Sequence, residues 1–204
     1  MTIYSRSDKQ PAARLSISYS LSYDWLVRGR PEGDWRPILK EGLEYQEAAR
    51  AEWEPLDRLV FEAYRAMGLK FWDTWRAYPV KFPEAVNAFK DPLTFPMTKD
   101  WEEMFSVLVH ELCHLHEDHP GNSPRYQACL DRVRADFPRE NETVQFHLLT
   151  CALQRAILMR VFPDRWKRMV NRGKGHPDLN RSWQLIDALE RQIDWADPWK
   201  SLAK

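Results

Sequence analysis

The sequence predicts an α+β fold in which a small, mostly antiparallel sheet packs against a predominantly helical chain. Three observations point there. A stretch rich in aromatic and β-branched residues between Lys70 and Met97 is cut by Pro79, Pro83, Pro92 and Pro96 into pieces that read as brief strands joined by turns. From Asp100 onward the periodicity is helical, with polar cap residues opening the segments and proline or glycine closing them. The 204 residues are 44% hydrophobic and 13% aromatic, ten tryptophans included, which is enough core material for one medium domain and excludes wholesale disorder.

The elements follow in order within a single domain over 1–204. Residues 1–17 read as a loose lead-in, 18–99 as a helix followed by the small sheet, 100–162 as metal-binding helices, and 163–204 as basic and C-terminal helices. Between Gly42 and Met67, the residues Leu56, Leu59, Val60, Ala63 and Met67 recur at the spacing of one helix face, with Pro55 marking a start or a kink. Prolines in the following strands would keep them at sheet edges, because proline has no N–H to give a neighbour. Asp100, with Glu103 three residues later, has the form of a helix start. That helix runs WEEMFSVLVHELCHLHED and stops at Pro120-Gly121. Ser123-Pro124 opens a second helix through about Asp136, and a third runs from near Arg139 or Asn141 to Phe162. Pro163-Asp164 starts a basic helix that ends near Gly173, and Ser182 caps a last one.

Thirty basic and thirty acidic side chains remove any global electrostatic argument for a nucleic-acid or membrane-surface partner. The most apolar window, HLLTCALQRAILMRVF, is interrupted by Arg155 and Arg160 and is shorter than the roughly 20 apolar residues of a membrane span. No signal-peptide pattern opens the chain, and three cysteines, Cys113, Cys129 and Cys151, do not make a disulfide framework. The expected compartment is the cytoplasm.

Four of the six histidines, His110, His114, His116 and His119, fall within ten residues, and His110-Glu111-Leu112-Cys113-His114 is an HExxH sequence inside a predicted helix. Two imidazoles four residues apart project from one helix face, so both can reach a single zinc ion at about 2.0–2.1 Å. Glu111 lies one position round the helix, where it can serve as general base toward a metal-bound water. Phe105, Leu108, Leu112 and Leu115 supply the apolar stripe that would bury such a helix. Cys113, between the histidines, points away from them and reads as a packed thiol.

A catalytic zinc site has three protein ligands and an open position. His119 is the nearest candidate for the third, but its spacing of five from His114, with Glu117-Asp118 between, does not suit a metzincin turn. Glu142, at the start of a helix two elements on, would complete a two-histidine, one-glutamate set, with Glu140 as the near alternative. His147 lies five residues beyond Glu142, so the two point about 140° apart and are not expected to hold one ion together.

HELCHLH followed by ENETVQFHLLTCAL resembles the ImmA/IrrE-type metallopeptidases over residues 93–155. The resemblance implies a zincin-like fold, with His110 and His114 as zinc ligands, Glu111 as base, Glu142 as third ligand and Phe146 as a core anchor. The chain departs from that family's pattern at Thr143-Val144. HELCHL also resembles SprT-like proteases, which would give the third position to His119, with SPRY at 123–126 following it. The activity both imply is zinc-dependent hydrolysis of peptide bonds in a cytoplasmic protein or peptide.

Glu103 and Ser106 sit on the His110 face as candidates to orient it. Tyr126, His147 and His176 are candidate donors to a transition-state oxyanion, and Leu93-Thr94-Phe95 a candidate edge strand for a peptide. The segment 155–181 holds eight basic residues against two acidic ones, with Trp166 interleaved, which as a function would be a nucleic-acid-facing surface. Two further readings therefore stand beside the peptidase: a non-catalytic, zinc-stabilised interaction module of the kind used in mobile-element or phage assembly, and a DNA-associated protein.

Overall fold

Three short strands, β1 (Arg14–Ile17), β2 (Thr74–Val80) and β3 (Leu93–Pro96), form one sheet in the order β1-β2-β3, and both pairings are parallel. The structure, a computed structural model, describes residues 14–29, 32–72, 74–81, 92–172 and 176–202. The parallel pairing corrects the mostly antiparallel sheet expected from the sequence, and with it the α+β class. The chain is a mostly helical α/β fold with a small parallel sheet. The physical reason is the connection: β1 lies where the sequence reads as lead-in, and the chain crosses through two helices, α1 (Leu21–Arg28) and α2 (Arg36–Ala66), before β2 pairs beside it. Residues 1–13, Pro83 and Lys174 lie outside the described residues.

Pro79 occupies the central strand, against the expectation that proline stays at an edge. The Ala77 carbonyl faces β1 and accepts the Ser18 N–H at 2.9 Å, while the Val80 carbonyl faces away from β1 and accepts the Met97 N–H at 2.9 Å. Since successive residues alternate sides, Pro79 faces β1 like Ala77, but Ile17 opposite Ala77 is the last β1 pair. The N–H that proline lacks falls beyond the end of the neighbouring strand.

Local chemistry explains the helix ends. Ser20 caps α1 by accepting from the Tyr23 N–H, and Gly29, at φ 85°, closes it. α2 runs through Pro55 without a break, with Pro37 in its first turn. Gly42 on α2 lets the Tyr19 ring close in, since a Cβ there would lie 2.2 Å from it. α3 (Trp101–Asp118) begins where Asp100 accepts from the N–H groups of Glu102 and Glu103, as the sequence predicts. α4 (Ser123–Asp136) and α5 (Glu142–Val161) follow, the latter capped by Asn141 through the Val144 N–H at 2.9 Å. α6 (Trp166–Arg172), α7 (Pro177–Ala188) and α8 (Pro198–Leu202) complete the order.

α2 packs on β1 and β2, and α3 on β3. α5 is buried on nearly every side and packs against α2, α3, α4, α6, α7 and α8, which makes it the centre of the helical layer. Among the described residues, no helix is long and apolar enough to cross a membrane.

Candidate metal centre

The spacing of HExxH puts His110 and His114 on consecutive turns of α3, and α5 presents His147 to them. The Nε2 atoms of His110 and His114 are 3.1 Å apart. One ligand atom from each of the three histidines lies within 4.8 Å of the others, and the three form a group that can hold a metal ion. The His147 ring stacks on His110 at a centroid distance of 5.6 Å and stands edge-on to His114 at 5.2 Å. His110, Glu111 and His114 are buried, and His147 is partly exposed.

The outer nitrogens decide which way each ring faces. Gln154 donates its Nε2 to the Ser106 carbonyl at 2.9 Å, so its Oε1 must face the His110 Nδ1, also at 2.9 Å. A carbonyl oxygen only accepts, so His110 donates from Nδ1 and keeps its lone pair on Nε2. The same reasoning applies to His147, whose Nδ1 meets the Thr143 carbonyl at 2.8 Å. His114 Nδ1 lies 3.2 Å from Glu117, whose other oxygen accepts from the Thr150 hydroxyl at 2.7 Å. With Nδ1 of each ring turned to an oxygen, the Nε2 atoms of His110 and His114 face each other across 3.1 Å, a gap that a shared proton or a metal ion would bridge. Tetrahedral zinc with Zn–N bonds of 2.0–2.1 Å would set two ligand nitrogens about 3.3 Å apart, close to the spacing here.

Burial favours neutral imidazole and neutral acid at the site. His110 is held well below the ordinary histidine range by burial, and further by its neighbours His114 and His147. Burial, and then the Glu117 carboxylate, push Glu111 up to about 8. Cys113 is raised by burial as well; its thiol meets the Tyr64 hydroxyl at 3.4 Å, in keeping with a packed residue.

Glu142 is not among the residues that converge. It is the first residue of α5, exposed, with its carboxylate 3.1 Å from Arg134 of α4. His119 forms the end of α3, accepts the Gly121 N–H at 3.0 Å and lies against Trp72, apart from the three-histidine group. Glu140 pairs with Arg181, and Glu103 accepts from the Thr98 hydroxyl at 2.7 Å. Ser106 serves His110 indirectly, through Gln154. Tyr126 is buried with its hydroxyl unpartnered, its ring edge-on to Phe146; Phe146 in turn stacks on His114 at 5.1 Å, so it touches the site as well as the core. His176 precedes α7.

Three of the eight basic residues of the 155–181 segment are paired with acids of the chain itself. The Arg155 side chain is 2% exposed, bridges Asp187 and Glu190, and lies between the rings of Trp166 and Trp195. Arg168 pairs with Glu102, and Arg181 with Glu140.

His147 was the ligand candidate sequence reasoning passed over, by tying it to Glu142. Its signal was present: His147, Thr150 and Gln154 fall at i, i+3 and i+7, a polar stripe along one face of the helix. Compared with known protein families, curated proteins and solved structures, the chain matches none. What supports the resemblance is therefore the HExxH pattern and its helix.

Proposed function

We propose that the chain is a zinc-dependent peptidase in which His110, His114 and His147 hold the metal and Glu111 is the general base. The observation that carries this reading is the convergence of the His110 and His114 Nε2 atoms, 3.1 Å apart, with each Nδ1 turned to an oxygen of its own, Gln154 Oε1 and Glu117. Three neutral nitrogen donors suit zinc and leave its fourth position for water or substrate. Bound there, zinc would lower the pKa of its water and polarise a carbonyl. Glu111 is the acid beside His110, whereas Glu117 already serves His114 and Thr150. The charge of a bound zinc would favour the carboxylate form of the buried Glu111, the form that can take a proton from water and pass it to a leaving amine. A peptide substrate is supported by β3, an edge of the sheet among the described residues and packed on α3. Three buried free thiols support a reducing, cytoplasmic setting.

The burial of His110 and His114, at 9% and 8% exposure, favours a second reading, in which the ion only fastens α3 to α5 in an interaction module. Metal analysis and a cleavage assay separate the two. The peptidase reading expects about one zinc per chain, and new peptide termini when a cell extract is incubated with the wild type but not with Glu111→Gln. Metal in both proteins with identical, uncleaved extracts would favour the module. Protein that holds no zinc and cannot be loaded with it would refute both.

A further inference from the structure

Two hydrogen-bonded bridges join α3 to α5, one at each of the two α3 histidines. In the first, Gln154 donates to both the carbonyl and the hydroxyl of Ser106, at 2.9 and 3.1 Å, and accepts from His110 at 2.9 Å. In the second, Thr150 donates to Glu117 at 2.7 Å, and Glu117 accepts from His114 at 3.2 Å. We infer that Gln154, Thr150 and Glu117 are positioning residues of the metal centre, fixing the ring planes and tautomers of its two α3 ligands and the placement of the α5 ligand against them. The inference rests on the metal-centre reading above and adds to it the residues that tune the ion.

Burial makes the argument. Ser106, Glu117, Thr150 and Gln154 are all at most 3% exposed, packed between α3 and α5. Burying an amide, a hydroxyl and a carboxylate there is unfavourable compared with well-packed apolar side chains, even when each finds a partner. A purely structural interface would not need them, but a ligating imidazole needs an acceptor on its second nitrogen. The geometry is directional as well. The Ser106 carbonyl accepts only, so Gln154 can offer His110 nothing but its oxygen. The Thr150 hydroxyl fixes one Glu117 oxygen and leaves the other for His114. The two ligands are tuned unequally: His110 leans on a neutral amide, His114 on a carboxylate that makes it the more electron-rich donor.

Cobalt(II) is the probe, because its visible absorption reports ligand geometry, and competition with a chelator gives its affinity. Thr150→Val keeps the shape of the side chain and removes the hydroxyl; Gln154→Met keeps its length and removes the amide. Both full-length variants are expected to bind cobalt about 10–100-fold more weakly than the wild type, with shifted absorption bands, while Thr150→Ser recovers both affinity and spectrum. Should Gln154→Met fail to fold, as judged by circular dichroism, Thr150→Val and Glu117→Gln carry the test. A wild type that binds cobalt with variants of unchanged affinity and spectrum overturns this inference and leaves the metal centre standing. A wild type that binds no cobalt overturns the metal centre itself, and this inference with it.

Discussion

Glu142 sets its carboxylate 3.1 Å from Arg134, and His147, five residues along the same helix, carries the ring that stacks on His110. Replacing each in turn distinguishes the ligand that the family resemblance implies from the one the geometry brings in. His147→Ala should lower zinc affinity by roughly two orders of magnitude or more. Glu142→Ala should leave zinc content at the wild-type level, because its partner is an exposed arginine. Equilibrium dialysis with metal analysis checks both.

Adding one methyl group at Gly42 should be costly. Its Cβ would fall 2.2 Å from the Tyr19 ring, whose hydroxyl is hydrogen-bonded to the buried Asp24 at 2.9 Å. Gly42→Ala is expected to destabilise the chain by about 1–3 kcal/mol through overpacking. Urea unfolding of the two proteins gives the difference.

Arg155→Lys keeps the charge but loses the planar fork that meets Asp187 and Glu190 between two indole rings. Both acids are about half exposed and regain water, so the loss is mainly packing and ring contact, about 2 kcal/mol. Denaturant unfolding followed by tryptophan fluorescence reports both the stability and the altered ring environment.

The α3–α6 pair gives a pH-dependent prediction. Arg168 donates twice to Glu102 and holds its carboxyl below the ordinary value of 4.5. A carboxyl whose folded-state value is depressed adds stability above its unfolded-state value and loses it as pH falls through the folded-state one. Arg168→Gln should therefore raise the Glu102 midpoint toward 4.5 and make stability less sensitive to acid below that pH. Carboxyl-carbon NMR titration measures the midpoint directly.

Most of the helices from Asp100 on were legible because their signals are local; Ser182 is the exception, lying inside α7 instead of capping it, with its hydroxyl donated to the Val144 and Asp178 carbonyls. Asp100 caps α3 where the pattern places it, α3 ends at Asp118, two residues before the predicted stop at Pro120, and the second helix spans Ser123–Asp136 as expected. Pairing direction is not local. The strand-like pieces around Pro79 and Pro92 look like the arms of a hairpin, yet β2 and β3 pair parallel, Ala77 beside Leu93 and Val80 beside Pro96, as β1 and β2 do. Within the site, His110 and His114 followed from spacing along one helix. His147 needed the approach of a second helix, and its approach depends on the buried contacts of α5, which no pairwise spacing encodes.

With neighbours on nearly every side, α5 is a helix that cannot slide or turn to suit its cargo. One residue gained or lost between His147 and Gln154 would rotate everything beyond it by about 100°, taking Gln154 off His110. Residue counts are therefore as diagnostic of this centre as residue types. A chain sharing it should keep three residues between His110 and His114 and two before Glu117. On the second helix it should keep two between His147 and Thr150 and three before Gln154, whatever happens in the loops between.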